Sequence, residues 1–376
     1  MMKIVLGLSG GVDSSVALKL LLDQGYDVTP VFMRNWDSAT NNDILGNPTV
    51  NDDICPQEVD FIDAKKVADK LNVEIKRVDF IEEYWNDVFS YFLDEYKKDR
   101  TPNPDIMCNK YIKFNAFLKY AEKIGANYIA MGHYANVRHD KDKSYLLRAK
   151  DQNKDQTYFL CQISQSQLRK AIFPVGNLTK EEVRKIAKEA NLATAEKKDS
   201  TGICFIGERN FKAFLKNYLP STPGDIVTTK GDVIGRHDGL MYYTIGQRKG
   251  LGIGGNNKYP DEPWFVCGKD LKKNHLIVGQ GHDSILLISN RCICSNINWI
   301  TDKPIEGKTY QAKFRYRQKD NEVTLKFLSD DKIEIFYPKG VRAVTPGQAA
   351  VIYDNEICRG GAIIDEVYFD NERRNY

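Results

Sequence analysis

The stretch KIVLGLSGGVDSSVALKLLLDQG, residues 3–25, decides the fold. KIVLGL (3–8) is a short β-rich run, and SVALKLLLDQG (15–25) carries apolar residues at helical spacing and stops at Gly25. Between them GLSGGVDSS (7–15) turns a strand directly into a helix. Such a turn aims successive N–H groups, two hydroxyls and the positive end of the helix dipole into one concavity, which suits phosphate. No Lys follows the glycines, and their spacing is not G-x-G-x-x-G, so neither common nucleotide-loop pattern applies. A plain Gly-rich turn, with Ser9 or Asp13 capping the helix, satisfies the same spacing.

Working outward, DVTPVFM (27–33), VEIKRVDF (73–80) and NYIAMGH (127–133) read as further strands, and residues 59–72 and 114–126 as helices. Strands separated by helices imply an α/β fold with a parallel sheet covered on both faces. Ligands of such sheets gather beyond the carboxyl ends of the strands, which places Ser9 to Ser14, Met33, Gly132 and His133 around one crevice.

The character changes after residue 205. NFKAFLKNYL is a last short helix, and the prolines at 220 and 223 then open a run of β-like segments. The chain is therefore divided at 1–205, 206–280 and 281–376, a catalytic α/β domain, a small mixed domain and a run of strands. TYQAKFRYRQ (309–318) alternates an apolar with a basic face, and EVTLKF and KIEIFY alternate likewise, which predicts an antiparallel barrel. GLGIGG (250–255) is no dinucleotide loop, because NNKYPDEPW follows where a helix must start.

The 376 residues are 42% hydrophobic and 28% charged, enough for two or three cored domains. No stretch approaches the 18 or so apolar residues of a membrane span, and the first apolar run breaks too early for a signal peptide, so a cytoplasmic protein is expected. Eight cysteines include no C-x-x-C pair, and the five histidines are scattered, which argues against a zinc or iron–sulfur site. Cys292 and Cys294 read as neighbours on one face of a strand. Net charge is only +3, and only residues 206–280 lean basic, with 11 Lys and Arg against 7 Asp and Glu, which permits an RNA partner without requiring one.

One cysteine sits oddly. TPNPDIMCNKYIKF (101–114) sets Cys108 just after Pro102, Asn103, Pro104 and Asp105, turn formers that predict a loop at the surface.

The motifs taken together resemble two nested families. SGGVDSS is similar to the pyrophosphate-binding loop of the N-type ATP pyrophosphatases (PP-loop proteins), which split ATP between its α and β phosphates and adenylate a substrate. PNPD with Cys108, DSTGICFIGERNF (199–211), VFMRNW, MGHYA, KDQTYFL, YTIGQRKGLGIGG and KFRYRQ recur in the order found in bacterial tRNA 2-thiouridylases, which replace the C2 oxygen of the wobble uridine with sulfur. The resemblance implies a Rossmann-like catalytic domain, a tRNA-binding central domain and a tRNA-binding C-terminal β-barrel. It implies ATP, with Mg²⁺, held by Gly7, Leu8, Ser9, Gly10, Gly11, Val12, Asp13 and Ser14, with Met33 and Gly132 against the adenosine. It makes Asn103, Pro104 and Asp105 contacts of the target base, and His133, Lys154, Asp155, Gln156, Arg315, Tyr316 and Gln348 contacts of tRNA. The expected tRNAs are those for Lys, Glu and Gln, and a relay protein or a cysteine desulfurase supplies the sulfur.

The chemistry explains the two cysteines that the resemblance singles out. Uracil C2 is a poor electrophile whose oxygen leaves badly, and joining that oxygen to AMP makes it a good leaving group. A persulfide on Cys204 is more acidic than a thiol, hence more ionised at neutral pH. Cys108 then either attacks the persulfide to free hydrosulfide or resolves the thiolated intermediate, in both cases leaving a Cys108–Cys204 disulfide. Two other classes share parts of the sequence. An ATP-dependent amide ligase would share the loop but needs ammonia delivery, and no glutaminase-like segment is visible. A catalytically silent RNA-binding protein would share the barrel but leaves the loop and the cysteines without a role.

Overall fold

Ile4, Val5 and Leu6 are wholly buried, and burial of each such side chain contributes roughly 1.5–3 kcal/mol. Strand β1 (Lys3–Gly7) is therefore covered on both faces and can only be central. In this computed structural model, which describes residues 2–49, 51–52, 54–199, 209–254, 258–282 and 284–375, β1 pairs in parallel with β2 (Asp27–Arg34) on one side and β3 (Tyr128–Ala130) on the other. The strands Lys76–Asp79 and Ala171–Ile172 extend the sheet at its two edges, again in parallel. Chain order reverses direction at β1, so the switch point of the sheet lies between the carboxyl ends of β1 and β3. Ala171–Ile172 is the strand missing from the sequence reading, since two residues carry no alternation.

Helix α1 (Val12–Asp23) begins three residues before its apolar pattern does, because the loop's own Val12 is buried with Val16 and Ala17. Helix α2 (Pro56–Lys70) starts on a proline at a position where the missing N–H costs nothing.

Residues 224–280 form a four-stranded mixed sheet in which His275–Gln280 runs parallel to Gly224–Thr228 and the remaining pairs are antiparallel. Beyond it six strands close on themselves. Ile288–Trp299, Lys332–Arg342, Asn321–Ser329, Thr309–Lys313, Ala349–Asp354 and Ile357–Phe369 pair in that order, and Ile357–Phe369 returns to Ile288–Trp299. The antiparallel barrel is thus closed, with Cys292 and Cys294 on its buried face, Sγ to Sγ 3.6 Å. Strand Thr309–Lys313 stops short of the expected residue 318. Lys313, on the basic face of that alternation, is buried, its Nζ 4.0 Å from Asp155 of the N-terminal domain. The alternation was real, but the face it predicted lies against another domain rather than against water.

A hairpin of the N-terminal domain, Asn136–His139 with Ser144–Leu147, joins the barrel sheet by pairing with Ile357 and Cys358. Arg148 secures this junction. Its side chain is 4% exposed, its Nη2 lies 2.9 Å from Asp320, its Nε donates to Asn355 O at 3.1 Å, and its guanidinium lies 3.8 Å above the Tyr353 ring. Arg148→Ala is expected to cost ~3 kcal/mol in urea denaturation, the range for leaving a buried charge without its partner, here Asp155, 4.0 Å from the guanidinium. A loss below ~0.5 kcal/mol, the level of an ordinary surface change, would contradict this account of the junction.

Candidate active site

Two glycines shape the loop between β1 and α1. Gly10 has φ +75°, and a Cβ there would lie 2.2 Å from the carbonyl oxygen of Asp60 in α2. Gly132, just past β3, brings its Cα side so close to α1 that a Cβ would fall 2.8 Å from Ser14 N. Hydroxyls fix the turn from inside. Ser9 N donates to Ser14 Oγ (3.2 Å), Ser14 Oγ to Gly11 O (3.0 Å) and Ser15 Oγ to Gly11 O (2.8 Å). Gly11 occupies the cap position of α1, and no side chain caps the helix. The capping role open to Ser9 or Asp13 in the sequence is therefore not taken, which leaves the positive helix end facing the crevice. Met33 and Met131 line the loop's inner side, with Met33 Cε and Met131 Sδ 3.0 and 2.9 Å from where a Gly7 Cβ would sit.

Asp13 is held by residues absent from the sequence reading. Lys180 Nζ lies 2.7 and 2.9 Å from its two carboxylate oxygens, and the Tyr134 hydroxyl donates to it at 2.8 Å. The same Nζ reaches Asp199 at 2.8 Å, and Lys154 and Arg184 bind Asp199 at 2.7 and 2.9 Å. Burial raises the Asp199 pKa, but the bonds from Lys154 and Lys180 outweigh it and take the carboxyl down to about 2. Burial, then the Asp13 charge, keeps the Tyr134 phenol protonated. A signal for Lys180 did exist. It is the first residue of the helix Lys180–Glu189, where its charge opposes the dipole and so belongs to a partner elsewhere. Asn35, two residues beyond Met33, is wholly buried with neither amide atom hydrogen-bonded, a state that native cores rarely leave unexplained.

Cys108 is not on a surface loop. Asn103 is the cap and Pro104 the first residue of a helix, Pro104–Met107, that continues through a π-helical stretch, Cys108–Ala116, into Phe117–Lys123. The turn formers initiate this helix, and the apolar Ile106, Met107, Ile112 and Phe114 bury Cys108 completely. It packs in the same core cluster as Met33, Met131 and Trp36. A π-helical widening is uncommon and concentrates at functional sites. Cys204 lies outside the described residues. Asp199, before it, is fixed at Asp13 through Lys180, and Arg209, after it, binds the buried Asp43 at 2.9 Å. No disulfide links two described residues.

The remaining candidates separate into two groups. Lys154 and Tyr316 sit together beside the crevice, with the Tyr316 hydroxyl donating to Lys154 O at 3.3 Å. Asp155 is buried and accepts from Ala149 N and Thr157 Oγ1 at 3.1 and 2.8 Å, and Gln156 Oε1 accepts from Tyr134 N at 2.9 Å. His133 is buried between Phe114 and Phe173, its ring centroid 6.1 and 6.2 Å from theirs, with Nδ1 unpartnered. Burial, then Lys113, lowers its pKa well below the usual value, so the imidazole is neutral at physiological pH. Arg315 and Gln348 lie at domain seams. Arg315 donates to Ile245 O and Thr345 Oγ1, both 2.8 Å, and Gln348 Nε2 to Thr101 O at 2.7 Å.

The packing of Gly132 against α1 yields a direct test. Gly132→Ala is expected to push Asp13 and Ser14 out of place and to weaken ATP binding at least tenfold by calorimetry, in a chain that circular dichroism shows to be folded. Unaltered affinity would mean that the loop does not contact the nucleotide.

Sequence comparison agrees with this geometry. Family profiles described as tRNA methyl transferase HUP domain, tRNA methyl transferase PRC-barrel domain and aminomethyltransferase beta-barrel domain match residues 2–208, 212–280 and 289–364. The chain is 60% identical over 374 residues to the tRNA-specific 2-thiouridylase MnmA of Mycoplasma capricolum, with 97% of this chain and 99% of that one covered. It is 58% identical to the protein of the same name from Acholeplasma laidlawii, over 100% and 99%. A likeness to a solved 4-thiouridine synthetase–RNA complex with bound ATP, TM-score 0.33 at 16% identity over 55% of this chain and 46% of that one, is too slight to bear on the argument. Among the described residues no helix is long and apolar enough to cross a membrane. The chain belongs to the family of tRNA-specific 2-thiouridylases, ATP-using sulfurtransferases that act on tRNA.

Proposed function

We propose that the loop Gly7–Ser14, with Met33 and Gly132, binds ATP and that the enzyme adenylates the C2 oxygen of the wobble uridine, releasing pyrophosphate. The observation that carries this reading is the uncapped amino end of α1 behind a loop where Gly10 and Gly132 leave no room for a side chain. Asp13 and Asp199 face each other across Lys180, a carboxylate pair suited to Mg²⁺ arriving with ATP. When bound, the ion would neutralise charge on the leaving pyrophosphate. Lys180 bridges the same two carboxylates.

Cys204 carries the sulfur as a persulfide. In one order of events the Cys108 thiolate attacks the inner sulfur of Cys204–S–SH, forming the Cys108–Cys204 disulfide and expelling HS⁻. Hydrosulfide adds at C2 and AMP leaves, and an external thiol returns two electrons to the disulfide. In the other order the persulfide attacks C2 directly and Cys108 resolves the resulting Cys204 adduct. Asn103, Pro104 and Asp105 at the start of the Cys108 helix hold the target base. His133, Lys154, Asp155, Gln156, Arg315, Tyr316 and Gln348 hold tRNA, some directly and some by fixing the backbone around them. Residues 1–205 form the catalytic domain, and 206–280 and 281–376 are the tRNA-binding domains. The tRNAs are those for Lys, Glu and Gln, the donor is a relay protein or a cysteine desulfurase, and the enzyme works in the cytoplasm.

Three variants test the scheme. Asp13→Ala is expected to abolish tRNA-dependent pyrophosphate release while tRNA binding, which rests on phosphate contacts elsewhere, stays near wild type. Cys204→Ser should adenylate tRNA and form no thiouridine. Cys108→Ser should adenylate and load Cys204, then stall, seen as one added sulfur mass on the Cys204 peptide and a rate loss of several orders of magnitude, the scale for removing a nucleophile. Release of ADP and orthophosphate, or wild-type turnover by either cysteine variant, sinks the scheme.

A further inference from the structure

The four residues before Asn103 are gripped by every part of the molecule. Lys269, in strand Trp264–Asp270 of the central domain, donates from Nζ to Asp99 O at 2.6 Å. Thr244, also of the central domain, meets Thr101 hydroxyl to hydroxyl at 3.2 Å. From the barrel, Pro346 O accepts from Thr101 N at 3.1 Å, Gln348 Nε2 donates to Thr101 O and Pro102 O at 2.7 and 3.3 Å, and Asp365 binds Arg100 at 3.1 Å. Contact here is backbone on backbone. Gly347 has φ +89°, and a Cβ on it would lie 2.9 Å from Thr101 O and 3.1 Å from Thr101 N. Asp99 is itself in the left-handed region, φ 57°, so the chain enters this segment with little freedom to adjust.

We propose that Asp99–Pro102 is a positioning strap through which the central domain and the barrel set where Asn103–Asp105 and the Cys108 helix begin, so that the steps on the target base, and not ATP binding, depend on Lys269 and Gly347. The inference rests on the reading of Cys108 as the reacting thiol. Pro102 directly precedes the cap Asn103, lies two residues before the first helical residue Pro104 and six before Cys108, and the helix between is too short to absorb a shift. Any displacement of the strap therefore moves Cys108 along or about the helix axis. The ATP loop is built on β1 and α1 and shares none of these bonds. Lys269 acts here through the backbone of Asp99 and touches no substrate; Gly347 acts by leaving space. Burial of the Lys269 ammonium, only partly offset by Asp99, lowers its pKa to about 8, a sign of how closely the strap is packed over it.

The test uses the full-length enzyme with loaded sulfur donor, ATP and unmodified tRNA. Gly347→Ala, which wedges the strap from the barrel side, and Lys269→Met, which releases it from the central-domain side with little loss of volume, are each expected to lower kcat for thiolation on the order of 10- to 100-fold, the scale of an ångström-level misplacement. Affinity for ATP, measured by calorimetry without tRNA, should stay within about twofold of wild type, while tRNA-dependent pyrophosphate release falls along with thiolation because Asn103–Asp105 shift with Cys108. A general loss of structure would weaken ATP binding and thiolation together, and that result overturns the proposal, as does wild-type thiolation by both variants. Thr244→Val, which removes only one hydroxyl contact, supplies a folded control: it should show the same split at smaller size, and no split overturns the proposal too. Cys108→Ser run alongside separates the two levels. If it thiolates normally the reading of Cys108 fails; if it stalls while the strap variants thiolate at the wild-type rate, only the strap fails.

Discussion

The site depends on one close approach. Two parallel strands, β1 and its neighbour β3, diverge at their carboxyl ends because the chain leaves them in opposite directions, and into that gap fits the first turn of α1 with Gly132 pressed against Asp13 and Ser14. A side chain at 132 would prop the two apart. With the gap closed, the loop's hydroxyls bond inward, to one another and to Gly11 O, while the uncapped helix end looks outward. The outward-facing N–H groups are a property of backbone geometry, and a single well-placed ammonium, Lys180, lies beside them on Asp13.

That ammonium also explains why the site does not fly apart. Asp13 and Asp199 are carboxylates held close together, and without a cation between them they would repel. Lys180 bridges both, with Lys154 and Arg184 adding charge on the Asp199 side. Lys180 thus keeps the two acidic groups in position as an internal cation.

Much of this was legible in the sequence. The strand–loop–helix signal is local and strong, and the alternating strands of the barrel were read correctly as alternating. What sequence could not supply were features made by distant segments. Lys180 meets Asp13 across 167 positions, and the two-residue strand Ala171–Ile172 has too few residues to show a period. Period-two logic identifies the basic face of TYQAKFRYRQ without saying what covers it; Lys313 and Arg315 turn out to face other domains. Cys108 misled for a related reason. Asn-Pro begins a surface turn and a helix alike, and only the buried Ile106, Met107, Ile112 and Phe114 decide between them.

The hairpin at 136–147 gives the molecule a property that its linear order hides. Because Leu146 and Leu147 pair with Cys358 and Ile357, the edge of the C-terminal sheet is completed by a segment encoded more than two hundred residues upstream. A C-terminal fragment made alone would present that edge bare, with the backbone groups of Ile357 and Cys358 open to pairing with another copy. The piece that can be exchanged between related chains, or expressed by itself without self-association, is accordingly discontinuous: the barrel together with a hairpin borrowed from the other end of the protein.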